Sequence, residues 1–309
     1  MKKLYCEFIP KLNFYFDEKE CNIKYNETIF NGIPNPKNIK IKDITYNSFN
    51  ISWEIDNTNN IDINKIKYII EIRKDNEKFN KVYEGNNKNS LIENLLSYTD
   101  YELRICSFYN DLYGPWSEIQ KIKNKEFDSS IFKECERKNE FIKKILEFSG
   151  YNRMELIYRG SRDGTTSLKF HEKCDNKGPN IILFKNEKGN IFGGYCPISW
   201  KSEGNWQSVP EAFIFTLTNI YNIEPTKFNR TNDNSGVYFN SSNGPWFGCS
   251  SNIGFQYDYS QSNNCYSYFG DYSGYKDTLG KGKSIFTGDE NNNNQYYKLK
   301  EIEAFKLYK

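Results

Sequence analysis

The chain has 309 residues with 42 Lys or Arg and 40 Asp or Glu, a net charge of +2, and that length allows about two domains. Charge is balanced over residues 33–123 (13 basic, 13 acidic) and amounts to +3 over 131–309 (23 basic, 20 acidic), without the basic excess of a phosphate-backbone binder, so no nucleic acid is expected as a partner. No apolar run approaches the roughly 20 residues that cross a bilayer, and Lys11, Asn13 and Asp17 interrupt the start with no small-residue cleavage site after it, so neither a transmembrane segment nor a secretory leader is expected and the chain reads as cytoplasmic.

Residues 1–32 read as an N-terminal extension with strand-like runs at 4–9 and 12–16. From Ile33 the pattern is all-β. Residues 38–44 alternate, and Phe49-Asn-Ile51-Ser-Trp53-Glu-Ile55 is a period-two strand with four large residues on one face. A polar turn at 57–60, a β-branched strand at 66–72, a turn at 84–87 and a strand at 101–108 follow, the turn spacing of a β-sandwich. The module resembles a fibronectin type III domain over 33–123. Trp53 stands where that family buries its tryptophan, and Tyr68 is the aromatic of the third strand. Leu95-x-Ser97-x-Thr99-x-Tyr101 matches the tyrosine corner, with Ser97 where Pro is usual, and Gly114-Pro115-Trp116-Ser117 opens the last strand. Trp53 and Tyr101 are therefore structural, the tyrosine hydroxyl bonding back to backbone.

The charged stretch 124–130 reads as a linker. Asp128 or Ser129 is a good helix N-cap, and apolar residues at helical spacing predict an amphipathic helix over 129–149, ended by Ser149-Gly150. A strand then enters the turn Arg159-Gly160-Ser161-Arg162-Asp163-Gly164, and Thr165 or Thr166 caps a short helix with Phe170 and Cys174 on one face. Strands are predicted at 181–184 and 191–195, paired in a hairpin, and at 212–217, 237–239, 253–257 and 296–307. Residues 258–295 are a Gly-, Asn- and Ser-rich loop region with embedded aromatics. So long a loop is expected to hide some structure. The high aromatic content, 17%, goes with abundant Asn, Lys and Ile, as AT-rich codons produce, and is not read as a binding surface.

In order, Tyr158-Arg159-Gly160-Ser161-Arg162-Asp163-Gly164, Phe170-His171-x-x-Cys174-Asp175-x-Lys177-Gly178-Pro179, Phe192-Gly193-Gly194-Tyr195, Ala212-Phe213-x-Phe215-x-Leu217, Gly244-Pro245-x-Phe247-Gly248 and Lys300-Glu301-Ile302-Glu303-Ala304-Phe305 are six spaced motifs. Together they resemble the TLDc domain over 131–309. The fold class implied is mainly β: a fibronectin type III sandwich, then a TLDc β-sandwich flanked by helices. The family likeness implies a non-catalytic protein-interaction role, docking on the vacuolar proton-pumping ATPase (V-ATPase) or a link to oxidative stress resistance, with no cofactor.

Chemistry has few candidates. His171 is the single histidine, so any Ser-His-Asp or Cys-His machinery must use it, with Cys174 three residues on. The other reading is a helix-surface His beside a core Cys. Eight cysteines include no C-x-x-C pair, so neither a structural metal nor disulfides are expected. On the final strand, odd positions from Leu299 to Leu307 share one face, which places Glu301 and Glu303 among apolar neighbours. They read either as an acid pair for hydrolysis, as partners of Arg159 or Arg162, or as acids turned outward by a bulge. No catalytic residue is assigned. A docking surface is expected where three turns cluster, at Arg162 and Asp163, at Gly193, Gly194 and Tyr195, and at Gly244 and Pro245. The rival classes are a structural scaffold, for example on cytoskeleton, and a hydrolase or redox enzyme built on His171 and Cys174 or on Glu301 and Glu303.

Overall fold

The computed structural model describes residues 33–309 other than 57–60, 76, 111, 232–235, 249–251, 262, 271–273 and 292–293, together with the backbone of two short antiparallel strands, β1 (Tyr15–Asp17) and β2 (Asn22–Lys24). The run expected at 4–9, the first three residues of 12–16 and the turn at 57–60 lie outside the described residues. The chain divides into two compact units, Met1–Phe127 and Asp128–Lys309.

In the first unit, β3 (Lys37–Lys42), β4 (Phe49–Glu54) and β7 (Asn89–Ile92) make one antiparallel sheet. The other has the order β10 (Gln120–Lys123), β8 (Asp100–Tyr109), β5 (Lys67–Lys74), β6 (Asn80–Gly85), with β9 (Leu112–Trp116) also on β8. Alternation in sequence becomes alternation in burial. Phe49, Ile51 and Trp53 meet Tyr68, Ile70 and Ile72 and then Tyr101, Leu103 and Ile105 in one core. Trp53 stands edge-on to Tyr68, ring centres 5.3 Å apart. The Tyr101 hydroxyl accepts the Leu96 amide hydrogen at 2.8 Å, the tyrosine corner. Ser97, in the usual proline place, accepts the Phe127 amide at 2.8 Å. Asn124 donates to the carbonyls of Tyr46 and Leu96, each at 2.6 Å. Residues 124–127 are thus packed parts of the first unit, and 128–130 of the second, where a linker was expected.

The second unit is built on a six-stranded antiparallel sheet: β11 (Arg153–Arg159), β19 (Leu299–Tyr308), β12 (Asn180–Asn186), β13 (Ile191–Cys196), β15 (Phe213–Thr218) and β16 (Thr226–Asn229). A smaller sheet, β14 (Asn205–Gln207), β17 (Val237–Phe239) and β18 (Trp246–Phe247), is prolonged by isolated bridges through 253–266 and Tyr296. Phe184, Phe192, Ile214, Ile302 and Ala304 of the large sheet share one core with Val237, Phe239, Phe247 and Phe255. Residues 253–257, expected as a strand, form only such bridges. The long loop hides a short helix, Ser284–Thr287.

Helix α1 spans Lys138–Ser149 and covers the other sheet face with Phe141, Ile142 and Ile145, its Phe148 near Phe213 and Phe215. Gly150 ends it in a left-handed conformation, φ 70°. Its start is nine residues later than expected. Ser129 does cap a turn, accepting the Phe132 amide at 3.2 Å, but residues 131–137 form turns that bury Ile131 and Phe132. Tertiary burial of those two side chains outweighs local helix propensity.

Candidate functional site

A dense polar cluster of the second unit gathers at the end of β11. The strand runs into α2 (Gly160–Asp163), and α3 (Ser167–Cys174) follows, capped by Thr166, whose hydroxyl accepts the Lys169 amide at 3.4 Å. Beside β11, a register shift in the pairing of β12 with β19, between Lys185 and Asn186, changes the facing of β19. Leu299 therefore joins the same core as Ile302 and Ala304, and Glu301 and Glu303 lie on the opposite face. The expected common face of all odd positions is broken by that bulge, and the bulge does not turn the acids out to water. Glu303 is fully buried and Glu301 nearly so.

A buried carboxylate needs compensation, and Glu303 has it. One oxygen accepts from Arg159 Nε at 2.6 Å, from the Ser130 amide at 2.8 Å and from the Ser130 hydroxyl at 3.0 Å; the other accepts from the Ser129 hydroxyl at 2.5 Å. Arg159 also reaches the exposed Asp128 at 2.7 Å. Glu301 accepts from the amides of Ser161 (3.1 Å) and Ile302 (3.0 Å) and from the Ser161 hydroxyl. The Ser130 hydroxyl oxygen lies between the two acids, 3.2 Å from a Glu301 carboxylate oxygen. Of the expected arginine partners Arg159 is the one used. Arg162 instead pairs with Asp163 at 2.7 Å.

Each residue of the turn has a visible role. A Cβ on Gly160 would fall 1.9 Å from the Tyr259 hydroxyl, so only glycine admits that ring. Asp163 accepts the Arg159 amide at 2.9 Å. Burial works against its charged form, but the hydrogen bonds from Arg162 and the Arg159 amide bring its carboxyl below the ordinary value. The carbonyl of Gly164, φ 112°, accepts from Tyr158 at 2.8 Å. At the surface this leaves Arg162, then Leu168 (67% exposed) on α3 and Tyr257 (62% exposed), whose carbonyl accepts the Ser167 amide at 2.6 Å. Sequence reasoning missed Leu168 and Tyr257. Their signal was a large apolar residue just inside a helix start and one in a loop.

His171 is buried, 4% exposed, and does not lie on the helix surface. Its Nδ1 meets the Asp175 carboxylate at 2.6 Å, and Nε2 donates toward the carbonyls of Asn240 (3.0 Å) and Asn243 (2.9 Å). All three partners are acceptors, so the ring is spent tying α3 to the segment that carries Gly244. The Ser202 hydroxyl steadies Asp175 from the other side at 2.7 Å. Cys174 points into the core, where burial pushes its thiol well above the ordinary value, and it is not among the hydrogen-bond partners of His171.

The three-turn docking surface does not assemble. Gly193 and Gly194 are buried in the middle of β13. A Cβ on Gly193 would stand 2.1 Å from the Ile182 carbonyl oxygen, and one on Gly194 would stand 2.6 Å from the Phe247 ring. Tyr195, on the same strand, packs against Phe213 with ring centres 4.9 Å apart. Gly244 and Pro245 are buried as well, and Gly244 makes room for Phe255. These five residues are packing positions and cannot touch a partner. Of the expected docking residues, Arg162 is exposed and Asp163 stands beside it, partly buried.

A model of the TLDc domain matches residues 126–308, and one of the fibronectin type III domain matches 34–123. MTOR-associated protein MEAK7 of Danio rerio is 27% identical over 62 residues, 20% of this chain. That match spans only 14% of the relative's length. Solved structures similar to the chain include a fibronectin type III domain from human KIAA0970 protein (16% identity, 33% of this chain and 80% of that one, TM-score 0.29). The FN1–FN3 domains of chicken CNTN1 are another (19% identity, 30% and 32%, TM-score 0.26).

Proposed function

This chain belongs to the TLDc family, and we propose that it is a non-catalytic docking protein of the cytoplasm that engages the V-ATPase. The match to the TLDc domain model over residues 126–308 supports an interaction role at the level of the family. One observation supports the non-catalytic reading: the groups that could do chemistry are spent on the fold. General acid–base work needs a group within hydrogen-bond reach of a substrate. Glu303 is enclosed by four hydrogen bonds, both nitrogens of His171 face internal acceptors, and Cys174 is a core thiol. What the same region offers to solvent is Arg162, Leu168 and Tyr257, a cation beside two large apolar side chains, the composition of a docking anchor.

The family resemblance makes the proton pump the first partner to try, and the name of the Danio rerio relative makes MTOR the second. The test is capture of purified V-ATPase on the immobilised full chain, with an Arg162→Ala/Leu168→Ala/Tyr257→Ala variant of matched unfolding midpoint. Retention by the wild type and loss in the variant are expected. A pump that ignores the wild-type chain, or binds the variant equally well, would overturn the reading of the partner or of the surface. A turnover abolished by Glu303→Gln in a folded protein would overturn the non-catalytic reading.

A further inference from the structure

His171 is the one histidine of the chain, and its surroundings ask for two protons on the ring. A neutral imidazole has one N–H and one bare lone pair. With the hydrogen on Nδ1, the lone pair of Nε2 faces two carbonyl oxygens, Asn240 at 3.0 Å and Asn243 at 2.9 Å. With the hydrogen on Nε2, the lone pair of Nδ1 faces the Asp175 carboxylate at 2.6 Å. Either neutral form sets lone pairs against each other in a buried place, where an unmade hydrogen bond is costly. The imidazolium donates from both nitrogens and satisfies all three acceptors. Few charges face this place. The ring's own helix ends in Asp175, while Glu172 and Lys173 pair with each other at the surface. Residues 240–243 present two uncharged carbonyls, and the Ser202 hydroxyl, between exposed Lys201 and Glu203, holds the second oxygen of Asp175 at 2.7 Å.

From this geometry we infer that the proton on His171 regulates the docking anchor: the charged ring holds residues 240–243 against α3, and loss of the charge lets them go. The anchor hangs on that strap by further hydrogen bonds. The Ser167 hydroxyl donates to the Ser241 carbonyl at 2.9 Å, and the Tyr257 amide donates to the Ser242 carbonyl at 2.7 Å. The Ser167 amide in turn donates to the Tyr257 carbonyl at 2.6 Å. Ser167 directly precedes Leu168, so both apolar side chains of the anchor, Leu168 and Tyr257, are placed by the segment that the ring holds. Imidazole is the side chain that ordinarily changes charge within the physiological pH range. No residue from Asn240 to Gly248 has a titratable side chain, and Asp258, beside Tyr257, is bonded to the Ser260 hydroxyl at 2.7 Å. The strap's response to pH therefore belongs to the ring and Asp175. The tie is complete on the acid side and fails as pH rises and the ring gives up its proton.

The inference deepens the docking reading and rests on it. In the full chain labelled with nitrogen-15 histidine, the single imidazole signal reports the charge of His171 from about pH 5 to 9. Amide hydrogen exchange, corrected for the intrinsic rate of each amide, reports Ser167, Ser242 and Tyr257 over the same range. Two protonated ring nitrogens are expected at the acid end. Exchange at the three amides should rise about tenfold, as on loss of a hydrogen bond from a charged donor, at the pH where the ring loses its charge. His171→Gln should show no such step, and Asp175→Asn should move it to lower pH. A ring that keeps one charge throughout the folded range, or one that titrates while the three amides keep their protection, would overturn the inference. So would a pump captured equally by the two charge states of the wild type. A step in exchange without capture at any pH sinks the choice of partner alone and leaves the switch standing.

Discussion

Replacing Arg159 with Met keeps most of the stem and removes the charge that faces the fully buried Glu303. Breaking a buried ion pair on one side costs about 3–5 kcal/mol, because the remaining charge stays desolvated. The contact of Arg159 with exposed Asp128 adds at most about 1 kcal/mol. Ser129 and Ser130 still hold Glu303 through three hydrogen bonds, which places the expectation near the lower end, about 3 kcal/mol. For a unit of this size that is a fall of roughly 6–12 °C in the midpoint of thermal unfolding, read by near-ultraviolet circular dichroism of the full chain. The double variant Arg159→Met/Glu303→Leu removes both charges and should recover part of the loss. Full recovery is not expected, since the Ser130 amide is left without its acceptor at about 1–3 kcal/mol. A loss below about 1 kcal/mol in the single variant, or a double variant less stable than the single, would refute a desolvated ion pair at this site.

Trp53→Ala should destabilise the first unit by about 3–5 kcal/mol in urea unfolding, as the truncation of a buried aromatic does. Gly194→Ala should cost the second unit about 1–3 kcal/mol by overpacking, and Phe247→Leu in the same chain should restore part of it. Asp163→Asn should lower stability at neutral pH. Because the folded carboxyl lies below its ordinary value, the contribution is complete above pH about 4 and fades as pH falls through the depressed folded value. The stability difference between wild type and variant should therefore shrink only on the acid side. Burial pushes the thiols of Cys106 and Cys196 up to about 12, so peptide mapping after iodoacetamide at pH 8 should find both unmodified in the native protein and alkylated after unfolding.

Period-two alternation was enough to place Trp53, Tyr68 and Leu103 in one core, because a strand with one buried face must alternate. The tyrosine corner was legible for a related reason: a buried phenol needs a partner, and the local motif supplies one. The start of α1 was not legible, since the burial of Ile131 and Phe132 that overrides the cap is a tertiary fact. Phe192-Gly193-Gly194-Tyr195 carried two readings, a strand and a docking turn. The strand is what forms, and its glycines answer to rings from elsewhere in the chain, which no local pattern reveals. Bulge and burial at Glu301 and Glu303 depend on the pairing of β19 with β12.

The position of β19 between β11 and β12 dictates an order of events. Residues 153–159 and 180–186 are synthesised well before 299–308, yet neither strand has its inner neighbour until that last stretch arrives. A nascent chain emerging from the ribosome therefore carries two unpaired strand borders through more than a hundred residues of synthesis, and such borders recruit foreign strands. Closure joins segments far apart in sequence, the slow kind of contact. A premature stop upstream of Leu299 would do more than shorten the protein. It would strand both borders permanently and release the seryl and arginyl groups that wait for Glu303, so the second unit of truncated products should be found with chaperones and in aggregates, while the first unit keeps its own complete core.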